Sequence, residues 1–168
     1  MNPMREIRLD KVVLNIGVGE GGDKLVKAEK VLKMVAGRPP ARTYAKKAVR
    51  EWGVKEKSPI GCKVTLRGEE AEGVLKKLLE AVERRVKESS FDRSGGVAFG
   101  VKEHIDVPGV TYDPETGIFG FDVCVKLTRP GYRIKTRRRL QKKVSQSHEI
   151  KKEEAIDFMS NKFGVQVV

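Results

Sequence analysis

One glycine-rich segment has the spacing of a phosphate-binding loop. Residues 17–22 (Gly-Val-Gly-Glu-Gly-Gly) satisfy the pattern G-x-G-x-x-G between a predicted strand and a predicted helix. In a dinucleotide-binding fold, such glycines let a pyrophosphate approach the N-terminus of the helix. The acidic residue expected about 20 positions later is missing, because residues 38–42 are Arg-Pro-Pro-Ala-Arg, and Glu20 would repel phosphate. The favoured interpretation of this segment is therefore a tight turn.

No other residues have the spacing of a catalytic or metal site. The predicted strand around His104 places it and Glu103 on opposite faces of a sheet, and His148 has no identifiable partner. Cys62 and Cys124 both lie in apolar stretches, which predicts two small buried residues and no disulfide. The histidines and cysteines do not form the short-range ligand pairs of a zinc site. We therefore expect no catalytic residue, no metal and no cofactor.

The positive charge of the chain is concentrated in two segments. The 168 residues carry a formal net charge of +12, from 35 Lys and Arg against 23 Asp and Glu. Residues 38–67 contain nine basic and two acidic side chains, and residues 126–143 contain nine basic and no acidic ones. The rest of the chain is slightly acidic, so this separation predicts a polyanionic partner. Nucleic acid is favoured over an anionic membrane, because neither segment lies on a helix with a large apolar face.

Composition and hydropathy limit the class of protein. A hydrophobic fraction of 39% with clear periodicity argues against a disordered chain. No apolar run approaches the roughly 18 residues of a membrane span, and residues 1–6 lack the apolar core of a secretory signal. We expect one domain over residues 1–168, with a basic C-terminal segment at 126–143 and a terminal helix at about 151–163.

Hydrophobic periodicity predicts the elements that position these residues. Alternating and β-branched residues predict strands, at residues 11–18, 60–67, 97–106 and 121–128. Apolar residues at helical spacing predict helices, from Asp23 to the stop at Gly37, at 69–87 and at about 151–163. Residues 42–59 are polar, basic and weakly periodic, which predicts a long loop with strand at its edges.

These elements predict a two-layer α+β domain. Short turns between successive strands favour antiparallel pairing, and the helices have one apolar side that must pack on the sheet. We therefore expect a mostly antiparallel sheet with helices on one face and long basic loops. The other face would carry no helix, and an open sheet face beside basic loops is a platform for RNA.

Four stretches of the sequence together resemble one protein family. They are residues 11–20 (Lys-Val-Val-Leu-Asn-Ile-Gly-Val-Gly-Glu), 58–68 (Ser-Pro-Ile-Gly-Cys-Lys-Val-Thr-Leu-Arg-Gly), 99–105 (Phe-Gly-Val-Lys-Glu-His-Ile) and 112–122 (Tyr-Asp-Pro-Glu-Thr-Gly-Ile-Phe-Gly-Phe-Asp). In this order they resemble family five of the universal large-subunit ribosomal proteins, which binds 5S rRNA in the central protuberance. Residues 129–155 are similar to the archaeal and eukaryotic branch, which indicates an archaeal-type member.

The resemblance implies a function and a set of partners. It implies a structural, non-enzymatic constituent of the large subunit, cytoplasmic in the ribosome, that attaches 5S rRNA to the large-subunit rRNA. Further implied partners are P-site tRNA, the family-eighteen protein of the large subunit and the family-thirteen protein of the small subunit. Neither a membrane nor a small-molecule substrate is expected.

The resemblance also implies which residues make these contacts. A sheet face and an adjoining turn would bind 5S rRNA, through Asn15, Arg38, Lys63, Thr65 and Arg67. A loop would face P-site tRNA, through Arg42, Tyr44, Lys46, Lys47, Arg50, Trp52, Lys55 and Lys57. A basic tail would bind rRNA, through Arg129, Arg133, Lys135, Arg137, Arg138, Arg139, Lys142 and Lys143. An intersubunit bridge would form at Val107, Pro108, Gly109, Tyr112, Asp113 and Pro114.

Two alternatives to this function stay open at the level of sequence. A nucleotide-dependent enzyme would use the glycine-rich segment, and a free-standing RNA chaperone would use the basic segments without joining a subunit. One residue also has two interpretations. Trp52, the only tryptophan of the chain, either contacts RNA or packs on the domain as most large aromatic residues do.

Overall fold

A five-stranded antiparallel sheet forms the framework of the protein, which the computed structural model describes over residues 2–168. Its strands are β1 (Arg8–Gly17), β2 (Ala41–Tyr44), β3 (Pro59–Leu66), β5 (Gly96–Val101) and β6 (Phe121–Thr128). Their spatial order is β2-β3-β1-β6-β5. The helices are α1 (Asp23–Ala36), α2 (Gly68–Ala81), α3 (Arg133–Thr136) and α4 (Lys152–Phe163). A separate parallel pair joins β4 (Arg85–Val86) to β7 (Gln166–Val167).

The alternation of side chains gives the sheet two unlike faces. In β6, Phe121, Val123 and Val125 are buried and the residues between them are exposed. Strand β1 buries Val12 and Leu14 in the same way. Helices α1 and α2 pack on this apolar face, and such burial stabilises a fold by about 25 cal/mol per Å². The predicted α+β class, with helices on one face of an antiparallel sheet, is confirmed.

The strongly periodic elements form where the sequence predicts them. Strand β6 spans residues 121–128, as expected. Helix α1 begins at Asp23 and ends at Gly37, whose φ of 68° is the left-handed conformation that glycine adopts most easily. Helix α4 begins at Lys152, within one residue of its predicted start. None of the helices in the described part of the chain is both long enough and apolar enough to span a membrane.

Helix α2 is shorter than its apolar spacing predicts. The sequence predicts a helix over residues 69–87, but the helix ends at Ala81. Glu83 and Arg84 have φ values of 54° and 57°, in the left-handed region that terminates helices. The chain then enters β4, which pairs with β7 near the C-terminus. Pairing with a segment distant in sequence therefore replaces the last predicted turns.

Strand β5 is also shorter than predicted. The strand expected over residues 97–106 ends at Val101, and the chain forms a 3-10 turn at His104. His104 is fully buried, and its Nδ1 accepts a hydrogen bond from the Phe119 N–H at 3.3 Å. The predicted strand position of His104 is therefore wrong. The side chain instead fixes the loop that leads into β6.

The predicted long loop at residues 42–59 is an ordered hairpin. Strand β2 pairs with β3, and the pairing continues into a segment that we name the β2–β3 arm, residues 45–58. The Ala45 N–H donates to the Ser58 carbonyl at 2.9 Å. A 3-10 turn at Arg50–Trp52 closes the tip of the arm. Local backbone hydrogen bonds therefore order a segment whose side chains have little hydrophobic periodicity.

Candidate nucleic-acid interface

The side of the sheet that α1 and α2 leave uncovered carries a group of polar residues. We name this side the open sheet face, and its centre consists of Asn15, Lys63, Thr65, Asp122 and Cys124. Strand register places Asn15 of β1 between Lys63 of β3 and Asp122 of β6. Thr65 follows Lys63 by two residues, so both side chains project from the same face of β3. Three of the five residues assigned to 5S rRNA by resemblance are therefore adjacent.

Two of these polar groups have no hydrogen-bond partner in the part of the chain that the structure describes. Asn15 is partly exposed and Thr65 is exposed. Among residues 2–168, neither the Asn15 amide nor the Thr65 hydroxyl forms a side-chain hydrogen bond. Neither side chain is therefore used to satisfy a neighbouring backbone N–H or carbonyl group. Their donors and acceptors are free to bind phosphate oxygens or 2′-hydroxyls.

Two arginines border the open sheet face. Arg38 forms an ion pair with Glu70 at 2.7 Å, and Arg67 forms one with Asp10 at 3.3 Å. A shallow cavity of about 460 Å³ beside Arg38 is also lined by Lys63. Exposed ion pairs of this kind contribute only about 0–1 kcal/mol. Both guanidinium groups can therefore exchange their carboxylate for a phosphate at little cost.

Two further lysines on this face are absent from the residues that the resemblance assigns. Lys11 is the strand partner of Lys126, and both project from the open sheet face at the end away from Asn15. The sequence places Lys126 in the basic C-terminal segment without assigning it a contact. The alternation that identifies Val123 and Val125 as buried residues of β6 also identifies Lys126 as outward-facing, so the signal is present in the sequence.

The glycine-rich segment is a turn, and two of its backbone donors bind the protein. The N–H groups of Val18 and Gly19 both donate to the Ile60 carbonyl, at 2.9 and 2.8 Å. The neighbouring strand packs closely here, because a Cβ on Gly61 would lie 2.6 Å from the Ile16 carbonyl oxygen. These N–H groups therefore do not point toward a ligand. The geometry favours a tight turn over a dinucleotide-binding loop.

The two cysteines differ in environment, which contradicts the prediction that both are buried. Cys62 belongs to β3 and is buried, and burial raises the pKa of its thiol to about 11. Cys124 is exposed at the centre of the open sheet face. Its apolar neighbours in β6 project to the opposite side of the sheet. The apolar sequence around Cys124 therefore wrongly predicts that it is buried. Within residues 2–168, no cluster of His, Cys, Asp and Glu could hold a metal ion.

The β2–β3 arm exposes its aromatic residues. Trp52 is 77% exposed at the tip and Tyr44 is exposed at the base, so packing of Trp52 on the domain is excluded. Arg42 differs from the other assigned residues, because its guanidinium pairs with Glu29 of α1. The remaining assigned cations of this region are exposed, namely Lys46, Lys47, Arg50, Lys55 and Lys57.

The loop assigned to an intersubunit bridge is only partly available for contact. Val107 is 2% exposed and belongs to the core, so its side chain is not available at the surface. Asp113 accepts hydrogen bonds from the Thr116 hydroxyl and the Glu115 N–H, which lower the pKa of its carboxyl. Tyr112 is 53% exposed. The loop therefore presents an exposed ring on a turn that Asp113 stabilises, together with exposed Pro108, Gly109 and Pro114.

Arg129, which the resemblance assigns to rRNA, does not face solvent. The residue is 5% exposed. Its guanidinium donates to four protein acceptors, the carbonyls of Arg5, His148 and Glu149 at 3.1, 3.2 and 3.3 Å and the Glu154 carboxylate at 2.7 Å. We name these residues the Arg129 cluster. It joins the N-terminus, the end of β6 and the start of α4, and so fixes both ends of the basic tail.

The rest of the basic tail is exposed and folded back on itself. Arg137 donates two hydrogen bonds to the Leu140 carbonyl, at 2.9 and 2.7 Å, and the Lys142 N–H donates to the Ile134 carbonyl. These bonds close a turn at the tip of the segment. The cations assigned to rRNA here are all exposed, namely Arg133, Lys135, Arg137, Arg138, Arg139, Lys142 and Lys143.

Family models match almost the whole sequence in two parts. Residues 2–55 match the model described as ribosomal protein L5, and residues 59–161 match the model of the C-terminus of the same ribosomal family. The first match contains β1, α1, β2 and most of the arm. The second match contains the other strands of the main sheet, so the two parts share one sheet.

Relatives of similar length match over nearly their full sequence. The chain is 48% identical over 167 residues to the large ribosomal subunit protein uL5 of Methanosphaera stadtmanae, covering 99% of each chain. It is 50% identical over 169 residues to the protein of that name from Sulfurisphaera tokodaii, covering 100% of this chain and 96% of the relative. The uL5 protein of Nitrosopumilus maritimus is 46% identical over 166 residues, with 99% and 96% covered.

Proposed function

The chain belongs to the ribosomal protein L5 family, as an archaeal-type member, and on that basis we propose that its open sheet face binds 5S rRNA. Membership makes it a structural, non-enzymatic constituent of the large ribosomal subunit, located in the ribosome in the cytoplasm. Neither a nucleotide-dependent enzyme nor a free-standing RNA chaperone fits that membership. The proposed role is to attach 5S rRNA to the large-subunit rRNA in the central protuberance, with residues 1–168 acting as one domain.

The observation that carries the proposal is the uncovered group of Asn15, Lys63 and Thr65. An amide, an ammonium and a hydroxyl can all bond to phosphate oxygens and to 2′-hydroxyls. Arg38 and Arg67 border the group and add positive charge. The test is a titration of 5S rRNA with the full-length chain and with a variant that lacks all three side chains.

A second contact is proposed for the β2–β3 arm, with P-site tRNA. The arm carries exposed cations and an exposed tryptophan at its tip. Aromatic rings stack on nucleic-acid bases and cations bind phosphates, and neither contact requires a particular sequence. Because the arm extends beyond the ends of β2 and β3 at one side of the sheet, it can reach an RNA different from the one on the open sheet face.

We expect the tip variant Arg50→Gln/Trp52→Ala to weaken the hold on P-site tRNA and to leave 5S rRNA binding intact. Removing one stacking interaction costs about 1–3 kcal/mol, which is roughly a 5- to 150-fold faster release of tRNA. The measurement pairs the tRNA off-rate from reconstituted ribosomes with the affinity of the free protein for 5S rRNA. Met34→Ala, at an exposed position of α1, is the control. If the variant binds 5S rRNA more weakly and releases tRNA at an unchanged rate, the arm contacts 5S rRNA and the proposed tRNA contact is wrong.

Two protein neighbours complete the proposed environment. The small-subunit family-thirteen protein would contact the loop that carries Pro108, Gly109, Tyr112, Asp113 and Pro114, where the exposed Tyr112 ring is the main apolar group. The large-subunit family-eighteen protein would lie beside the chain on 5S rRNA. Both contacts come from the family resemblance, and the exposed ring supports the first of them.

The tip of the basic tail is proposed to bind rRNA phosphates. We expect Arg137→Gln/Arg138→Gln/Arg139→Gln to make rRNA binding less dependent on salt. Each phosphate that is no longer bound lowers the slope of log affinity against log salt concentration by about one unit. The slope is measured by filter binding over a series of KCl concentrations, separately for 5S rRNA and for the large-subunit rRNA. Unaltered slopes for both RNAs would show that the three arginines are merely solvated.

A further inference from the structure

A cleft lies between the open sheet face and the base of the basic tail. Its volume is about 350 Å³, at the lower end of the size of small-molecule sites. The charged groups that line it come from β1, β6, α3 and the end of β3, and they are Asp10, Lys11, Arg67, Lys126, Arg133 and Lys135. Elements distant in sequence thus bring five cations and one carboxylate around a single space.

The cleft lacks the negative charge needed to balance its cations. Asp10 is its only carboxylate, and it pairs with Arg67 at 3.3 Å. Lys11, Lys126 and the two cations of α3 form no ion pair with any carboxylate of the described residues. Like charges held around one space repel each other, and an anion bound from outside relieves that repulsion.

The wall formed by α3 is held in place by partly buried hydrogen bonds. Tyr132, which precedes α3, donates its hydroxyl to the His148 carbonyl at 3.2 Å and accepts from the Ile150 N–H at 2.8 Å. The Arg129 cluster fixes the chain three residues earlier. Because both sets of bonds lie within the protein, the position of Arg133 does not depend on a ligand. A preorganised wall of this kind reduces the entropy cost of binding.

We propose that this cleft binds backbone phosphate of the same RNA molecule that covers the open sheet face. The inference rests on the proposed function, because it adds a second contact to that RNA surface. Lys11 lies four residues before Asn15 in β1, about 13 Å along the strand at ~3.3 Å per residue. Both residues project from the open sheet face, so a short run of nucleotides can reach from one to the other.

RNA is favoured over an acidic protein segment as the occupant. Lys11 and Lys126 belong to the open sheet face and to the cleft at once, so no barrier separates the two surfaces. An acidic segment would have to lie in the cleft while RNA covers the adjoining face. One continuous RNA avoids placing two polyanions side by side, which would repel each other.

The first test removes charge from the cleft. We expect Lys11→Gln/Lys126→Gln to bind 5S rRNA more weakly and to lower the salt slope by about two units, one for each phosphate that is no longer bound. The matched control is Lys76→Gln/Lys77→Gln, two exposed lysines of α2 on the other side of the sheet. Thermal unfolding of both variants is measured alongside. The proposal would be overturned if Lys11→Gln/Lys126→Gln is folded and its salt slope for 5S rRNA equals that of the control.

The second test uses cleavage of RNA and does not remove any cleft residue. An iron chelate that generates hydroxyl radicals is attached to Ala41→Cys, at the edge of the open sheet face, or to Ile134→Cys, beside the cleft. Both are made in a Cys124→Ser background, where the buried Cys62 thiol stays unlabelled. Each labelled full-length chain is bound to a mixture of 5S and large-subunit rRNA.

We expect both chelates to cut the same RNA at neighbouring nucleotides. Cuts by the Ile134 probe in a different RNA, or in none, would overturn the cleft proposal. If both probes cut the large-subunit rRNA and neither cuts 5S rRNA, the proposed 5S function fails while the shared-RNA inference stands. The two failures are thus distinguishable.

Discussion

The triple variant Asn15→Ala/Lys63→Ala/Thr65→Ala is expected to bind 5S rRNA at least about 100-fold more weakly than the native chain. Each side chain is expected to contribute about 1–3 kcal/mol through contacts to phosphate or 2′-hydroxyl groups, and each 1.4 kcal/mol is tenfold in affinity. All three project from the open sheet face, away from the core. The substitutions should therefore leave thermal stability nearly unchanged.

The matched control carries the same three residue types elsewhere on the surface. Asn161→Ala/Lys77→Ala/Thr111→Ala removes one amide, one ammonium and one hydroxyl from exposed positions. Both variants lose the same positive charge, so any difference between them comes from position. Equal affinities of the two variants for 5S rRNA would remove the open sheet face as the binding surface.

Arg129→Leu is expected to destabilise the protein by about 2–4 kcal/mol, the largest effect on stability that we predict. The substitution leaves three backbone carbonyls and the Glu154 carboxylate without their donor. Unsatisfied polar groups cost about 1–3 kcal/mol each where they are buried. The cost is smaller for Glu154, because its carboxylate is partly exposed and can bond to water instead. Arg129→Lys should rescue only part of the stability, because one ammonium cannot reach four acceptors.

The measurement is the urea concentration at the midpoint of unfolding for each variant. A shift of this midpoint reports a change in stability if the m-value is unchanged. Arg93→Leu, at an exposed arginine, serves as the control for removal of a positive charge. We expect its midpoint to stay close to that of the native chain. If Arg129→Leu and Arg93→Leu unfold at the same urea concentration, the Arg129 cluster does not stabilise the fold.

The sequence predicts the framework well where periodicity is strong and local. Strand β6 alternates along its whole length, and α1 has both an apolar stripe and a terminal glycine. The predicted end of α2 is wrong because Val82 and Val86 continue the helical spacing. The residues that break the helix are Glu83 and Arg84, whose types give no local signal of a left-handed backbone. Pairing with a strand about 80 residues later decides that boundary.

The candidate site could be predicted in part, for similar reasons. Asn15, Lys63 and Thr65 are alternate residues of strands, so their common face follows from the sheet. Arg129 lies in a segment with eight other basic residues, which makes it look like one more RNA contact. Its burial depends on carbonyls contributed by the N-terminus and by the residues before α4, and no local pattern identifies those acceptors. The cleft beside Lys126 depends on the same folding of the tail.

A footprint on 5S rRNA, measured in competition with the large-subunit rRNA, tests the central claim most directly. The full-length chain is added to an equimolar mixture of 5S and large-subunit rRNA, and the positions protected from hydroxyl radicals are mapped on both. We predict one contiguous protected region on 5S rRNA, which the Asn15/Lys63/Thr65 triple variant loses and the matched control retains. Protection confined to the large-subunit rRNA, or a 5S footprint that the triple variant leaves intact, would contradict the assignment of 5S rRNA to the open sheet face.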